Sequence, residues 1–271
     1  MLKLRKQLRG VLIVLLITIS AYSKTIIFAN QVSCLERKQK KSRFKALVLY
    51  ENGGHHLPFT KAAKPWLNKL AIDSSFTIDY IESTKTINEA LLKQYQVFIQ
   101  LDYPPYSWSE ESMLAFQKYI NSGKGGWVGL HHATLLGEFD GYPMWKWFSD
   151  FMGGIQFANY IQDFASGKVS IEDKSHPVTK GIPSNFIIPK EEWYTYDKSP
   201  RPNVHVLASV DESSYEPYSK IKMGDHPVVW TNNHFKSRNI YIFMGHAPEL
   251  FENEAYTTLL RNSIFWAAKR N

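Results

Sequence analysis

The sequence predicts an α/β fold: a doubly wound sheet, mostly parallel at its centre, with extra antiparallel strands in the second half. Two observations predict it. Between residues 45 and 130, short apolar β-prone runs alternate with helical patterns, the rhythm of strand–helix–strand units. From KVSIED onward the β-prone runs follow one another with little helix between them, which suits antiparallel pairing.

Each element has its own signal. KALVLY (45–50) is an uninterrupted apolar run, expected of a strand buried on both faces. FTKAAKPWLNKLA (59–71) has helical spacing apart from Pro65. FTIDYIES alternates as a second strand, TINEALLKQ forms a short helix, and VFIQL (97–101) is a third strand. SEESMLAFQKYINSG (109–123) is the clearest helix: Ser109 caps it, Glu110 and Glu111 suit its positive end, and Gly123 stops it. GWVGL (126–130) is strand four. KVSIED, FIIPKEEWYTY, VHVLASV, PVVWTN and NIYIFMG are the later strands. ENEAYTTLLRNSIFWAAKR (252–270) is a terminal amphipathic helix that docks through Leu259, Leu260, Ile264 and Phe265.

Charge distribution excludes the function its total invites. Of the formal +7, residues 1–29 carry +5 and residues 30–45 another +5, which leaves −3 for the remainder. A mildly acidic domain offers no phosphate-binding face, so nucleic acid is not an expected partner. The N-terminus explains the excess. MLKLRKQLR precedes the apolar run VLIVLLITISAY, the pattern of a signal peptide over residues 1–29, with cleavage after Ser23 or Ala29. The alternative is an uncleaved anchor, and only in that case does the chain meet a membrane. Residues 30–44 read as a basic linker and residues 45–271 as one domain. The expected location is therefore periplasmic or extracellular. Cys34 is the only cysteine, so neither a disulfide framework nor a thiolate metal cluster is available, and QVSC lacks the leucine of a lipidation signal.

Open α/β sheets bind ligands beyond the carboxyl ends of their strands. Five of the nine histidines fall at such ends: His55 and His56 in ENGGHH, His131 and His132 in GLHHA, and His246 in FMGHAPELF. Asp102, Tyr103, Tyr106 and Trp108 follow the third strand, and Glu138 and Asp140 follow the second histidine pair. Each pair also has a structural explanation, one packed residue and one exposed. ENGGHH has neither a P-loop lysine nor a dinucleotide fingerprint, and no helix carries HExxH. A zinc site built from separate loops is geometrically allowed, so the metal stays unassigned, with a divalent ion as the candidate cofactor. Trp145 and Trp147 sit at helical spacing and belong to the core rather than to a sugar cleft.

Several of these segments together resemble the ThuA-like (trehalose utilisation) family. They are GGHH (53–56), GLHHA (129–133), HPVTKGIPSNF (176–186), EEWY (191–194), PVVW (227–230), GHAPELF (245–251) and the terminal LLRNSIFWAA. The resemblance runs from Lys45 to the last helix and rests on their order and spacing. It implies a flavodoxin-like, class I glutamine amidotransferase-like sandwich. In that fold a nucleophilic cysteine occupies the turn after a central strand, where this chain has Gly129-Leu130-His131-His132-Ala133. Thioester chemistry is therefore not expected. The family pattern places His131 on its glycine-leucine-histidine position, Glu192 and Tyr194 on its acidic-glutamate-x-tyrosine position, and His246 on its glycine-histidine position. Glu191 stands for the usual aspartate, the segment SRNIYIFMGH lacks the common glycines, and His56, with His55 as alternate, falls on the first-loop histidine.

The resulting expectation is an exported protein acting on a small-molecule carbohydrate, a glucoside or keto-glycoside. His131, Glu192 and His56 are the candidate catalytic residues, with His131 as general base or acid. His55, Tyr103, Trp108, His132, Tyr194 and His246 are the candidate substrate-binding residues. A non-catalytic carbohydrate-binding module and a metal-dependent hydrolase are the alternatives. A two-carboxylate glycosidase fits less well, because Glu191 and Glu192 are adjacent and a strand points them to opposite faces.

Overall fold

Strands form where β-branched and aromatic runs can be covered on both faces. The computed structural model describes residues 42–269, so the N-terminal signal or anchor and most of the linker lie outside the described residues. Lys45–Tyr50 (β1) leads into helix Leu57–Ser74 (α1) and Thr77–Ile81 (β2). The short helix Glu89–Leu92 (α2), Val97–Leu101 (β3), Glu110–Ser122 (α3) and Gly126–Leu130 (β4) follow. After helix Lys146–Phe151 (α4) come Phe157–Tyr160 (β5), Ala165–Ile171 (β6), Asn185–Glu191 (β7) and Tyr194–Tyr196 (β8). His205–Glu216 (β9), Pro227–Thr231 (β10), Asn239–Ile242 (β11) and helix Glu254–Ala267 (α5) complete the chain.

Nine strands make one sheet in the order β2-β1-β3-β4-β11-β10-β9-β6-β7. The pairs β1/β2, β1/β3, β3/β4 and β4/β11 are parallel, giving the flavodoxin-like strand order. From β10 to β7 every pairing is antiparallel. The apolar runs of β3 and β4 are buried at every residue, as expected for strands covered on both faces. Helix α3 is capped as its sequence dictates: Ser109 accepts the N–H of Ser112, and Gly123 ends it at φ 67°. In α5, Asn253 accepts the N–H of Tyr256, and Leu259, Leu260 and Ile264 are buried.

Four elements differ from the sequence expectation, the two strand cases because tertiary pairing overrides local pattern. NIYIFMG is not part of the antiparallel extension: β11 pairs parallel with β4 and completes the central sheet. FIIPKEEWYTY is two strands, because β8 leaves the large sheet and pairs antiparallel with β5, a segment without a strand signal. TINEALLKQ yields only the four residues of α2, with Asn88 as its cap. At the linker's end, Phe44 is already core, stacked on Phe76 with centroids 4.4 Å apart. No described helix is long and apolar enough to cross a membrane.

Candidate functional site

Loops following β1, β4, β7 and β11 converge at the carboxyl edge of the parallel sheet, and each brings one or more ionisable side chains. His131 opens a 3₁₀ turn directly after β4 with φ 38°, a left-handed conformation that costs a residue with a Cβ about 1–3 kcal/mol. Buried hydroxyls hold the strained turn. Tyr241 donates to the His131 carbonyl at 2.9 Å, and Thr134 donates to the same oxygen at 3.1 Å. The Thr134 hydroxyl is in turn 2.7 Å from that of Tyr196 and 2.6 Å from that of Tyr241.

The His131 ring lies between two carboxylates. Its Nδ1 is 3.2 Å from the Phe243 carbonyl oxygen and 3.6 Å from Glu191 Oε1, and its Nε2 is 3.5 Å from Glu192 Oε2. The adjacent glutamates thus flank one imidazole rather than a substrate bond. Glu191 is also a clasp: its Oε2 accepts the N–H groups of Gly245 (3.0 Å) and His246 (3.4 Å), and its Oε1 accepts that of Glu192 (3.1 Å). His246 Nε2 lies 3.8 Å from Glu192 Oε2. His56 sits at the N-cap of α1, its ring 4.3 Å from that of His246 and 5.2 Å from that of His131. Glu51, just beyond β1, reaches His56 Nδ1 at 3.5 Å and His132 Nδ1 at 3.6 Å.

Burial dominates the electrostatics. It holds His131 well below the ordinary imidazole range, His56 at about 4 and His246 at about 3, with neighbouring histidines adding to the effect. The imidazoles are therefore neutral at pH 7 and present lone pairs. Burial likewise pushes Glu192 up and Glu191 to about 8, although backbone N–H groups pull Glu191 back. For Glu51, burial is outweighed by hydrogen bonding and charge from His132 and His56, and its carboxyl falls to about 2. Asp102 closes β3 at φ 51°, fully buried, and among the described residues neither carboxyl oxygen has a hydrogen-bond partner. Burial, then the charges of Glu191 and Glu51, raise it well above the usual carboxylate range.

Two groups of side chains could hold a cation: His56, His131, Glu192 and His246, whose ligand atoms all lie within 4.8 Å of one another, and Glu51, His56 and His132. All of them but His131 line a cavity of about 310 Å³, together with His55. Leu135, Phe139, Phe157, Tyr160 and Tyr194 supply the aliphatic and aromatic part of the lining. His131 lies beneath this cavity, fully buried, with the Tyr194 ring 4.4 Å away.

The structure brings seven of the nine residues singled out from the sequence to this cavity or its floor: His55, His56, His131, His132, Glu192, Tyr194 and His246. It separates the two alternates of the first loop, since His56 is buried in the cluster and His55 is exposed at the rim. Tyr103 instead lines a neighbouring cavity that shares Glu51 and Gly54. Trp108 is not a sugar platform: it is core, its indole N–H donating to the Pro104 carbonyl at 3.0 Å and its ring packed on Phe98, Phe116 and Trp145. Sequence reasoning missed Glu51, Phe139, Phe157 and Tyr160, and it placed Glu191 on the family's acidic position without giving it a role. A carboxylate directly after β1 was the available signal for Glu51. Phe157 and Tyr160 carried none, because β5 had no strand pattern, and Phe139 lies in a turn between elements.

The family model described as trehalose utilisation, ThuA, matches residues 45–267. A ThuA-like protein from Bacteroides uniformis has a similar solved structure, at 33% identity and a TM-score of 0.75, covering 84% of this chain and 92% of that one. A second ThuA-like protein, from Parabacteroides merdae, is 19% identical with a TM-score of 0.61, covering 83% of this chain and 90% of that one. Comparison with curated proteins found no match. The family model spans nearly all the described residues, and the chain belongs to the ThuA, trehalose utilisation, family.

Proposed function

We propose that the protein is an exported enzyme of carbohydrate utilisation that turns over a glucoside or keto-glycoside in this cavity. The observation that carries the reading is the mixed aromatic and polar lining of the cavity. A pyranose has an apolar C–H face and a hydroxyl edge, and the cavity lining combines Phe157, Phe139 and Tyr194 with histidines and carboxyl groups. Export is supported by the basic-then-apolar run at the N-terminus. The reacting end of the sugar lies against His56, Glu192 and His246. His131 is fully buried, so it acts on substrate only through whatever its Nε2 binds. Glu51 holds His56 and His132 in place.

The test is turnover of a panel of glucosides and their keto derivatives, read by product chromatography, for wild type and His131→Ala. Conversion by wild type that falls at least about 100-fold in the variant is expected, the scale of losing a residue that positions the reacting groups. Calorimetric binding of sugars without conversion of any of them would make the domain a binding module instead.

A further inference from the structure

We propose that His56, His131, His246 and Glu192 form a mononuclear site for a divalent transition metal, with zinc the best match. The inference deepens the functional reading and rests on the same cavity being the working site. Its support is geometric. Two ligands of a tetrahedral zinc, each about 2.0–2.1 Å from the ion, lie about 3.3–3.4 Å apart. Glu192 Oε2 is already 3.5 Å from His131 Nε2 and 3.8 Å from His246 Nε2, so these two pairs need to close by only a few tenths of an ångström. All four ligand atoms fall within 4.8 Å of one another.

Unpartnered nitrogens point the same way. Among the described residues, His56 Nε2 and His131 Nε2 are buried without any hydrogen-bond partner, on side chains 3% and 0% exposed. A buried ring nitrogen left without a partner is destabilising, and a bound metal removes that cost. The opposite nitrogens are already occupied. His131 Nδ1 donates to the Phe243 carbonyl with Glu191 beside it, and His56 Nδ1 faces Glu51. This carboxylate-or-carbonyl–histidine arrangement is the usual outer shell of a metal-bound imidazole, and it fixes which nitrogen faces the ion.

The donor set selects the metal class. Three imidazoles and one carboxylate suit zinc and its first-row neighbours, whereas magnesium and calcium take oxygen shells. Glu51, His56 and His132 form no second centre on this account, because Glu51 is spent orienting His56. The four ligands come from four separate loops on one rigid sheet edge, at the floor of the cavity, where an ion could polarise a substrate oxygen.

The test uses the full chain purified without chelator. Elemental analysis is expected to find close to one equivalent of transition metal. Chelator-stripped protein is expected to bind one Zn²⁺ in a chelator-competition titration, and one Co²⁺ with the intense visible absorption of a tetrahedral site. His246→Ala and Glu192→Gln are expected to weaken Zn²⁺ binding at least 100-fold. Glu192→Gln keeps side-chain volume, so it reports even if the alanine variant misfolds. Glu51→Gln, acting through His56, is expected to weaken binding about 10–100-fold. Wild type with no stoichiometric metal and no Zn²⁺ binding in the stripped protein overturns the site, as does affinity unchanged in Glu192→Gln. Sugar turnover by metal-free protein would refute the metal and leave the functional reading standing. Tight metal binding without turnover of any sugar would do the reverse.

Discussion

Gly245→Ala tests whether the site depends on close approach of the loop after β11 to the β4 turn. A Cβ at Gly245 would lie 2.7 Å from Asp102 Oδ1, 2.8 Å from His131 Cβ and 3.3 Å from Leu130 Cβ. Ordinary carbon contacts are about 3.5–4.0 Å, so roughly 0.7 Å must be found on two sides at once. Neither side yields: the His131 backbone is pinned by Tyr241 and Thr134, and Asp102 is packed at the end of β3. The relief therefore comes from the 245–246 segment. Overpacking of this kind costs about 1–3 kcal/mol. The same displacement stretches the 3.0 Å bond from Gly245 N–H to Glu191 Oε2 beyond hydrogen-bond range, which adds about 1–3 kcal/mol for the buried N–H left without its partner. The expected loss is about 3–5 kcal/mol in urea unfolding, together with at least about a tenfold drop in turnover as His246 leaves the cluster. Gly53→Ala is the control. Nothing lies within 4 Å of its Cβ position, and the change is expected to alter stability by less than about 0.5 kcal/mol. A Gly245→Ala protein within 1 kcal/mol of wild type and fully active would refute the reasoning.

Three other perturbations separate the supports of the site. Tyr241→Phe removes one of the two donors to the strained His131 carbonyl and a partner of Thr134, so unfolding should cost about 1–2 kcal/mol less, with reduced turnover in the soluble protein. Glu191→Gln keeps the volume but turns one of two accepting oxygens into a donor facing backbone N–H groups. A loss of about 1–3 kcal/mol in chemical denaturation is expected, and no loss would mean the clasp is not needed. Asp102→Asn addresses pH. Burial raises the folded-state pKa above the unfolded 3.8, so the folded protein holds a proton that the unfolded chain releases. Wild-type stability therefore falls as pH rises above about 4, by up to about 1.4 kcal/mol per pH unit from this group until its folded pKa is passed. The asparagine variant should lack that component of the slope, and parallel wild-type and variant stability curves between pH 4 and 7 would contradict it.

Much of the central sheet was legible because its strands and helices carry their own signals. VFIQL and GWVGL are continuous apolar runs, and Ser109 and Gly123 bracket a helix that the structure caps at those residues. The edges were less legible because they depend on pairing at a distance. NIYI says nothing about whether its partner is parallel β4, and FANY becomes a strand only because Tyr194–Tyr196 is available beside it. The histidines were findable from their places at strand ends. Glu191 was not, since its importance lies in facing the far side of His131 while accepting the N–H groups of a loop fifty-odd residues away. Trp108 was misjudged for the same reason in reverse: its position after β3 looked like a site, but its indole turns into the core.

A crystal structure with a slowly converted glucoside or keto-glycoside tests the central claim most directly. A sugar ring is expected in the cavity of about 310 Å³, its face against Tyr194 and Phe157 and an oxygen directed at His56, Glu192 and His246. A sugar bound elsewhere on the protein, with this cavity left without it at saturating ligand, would contradict the account.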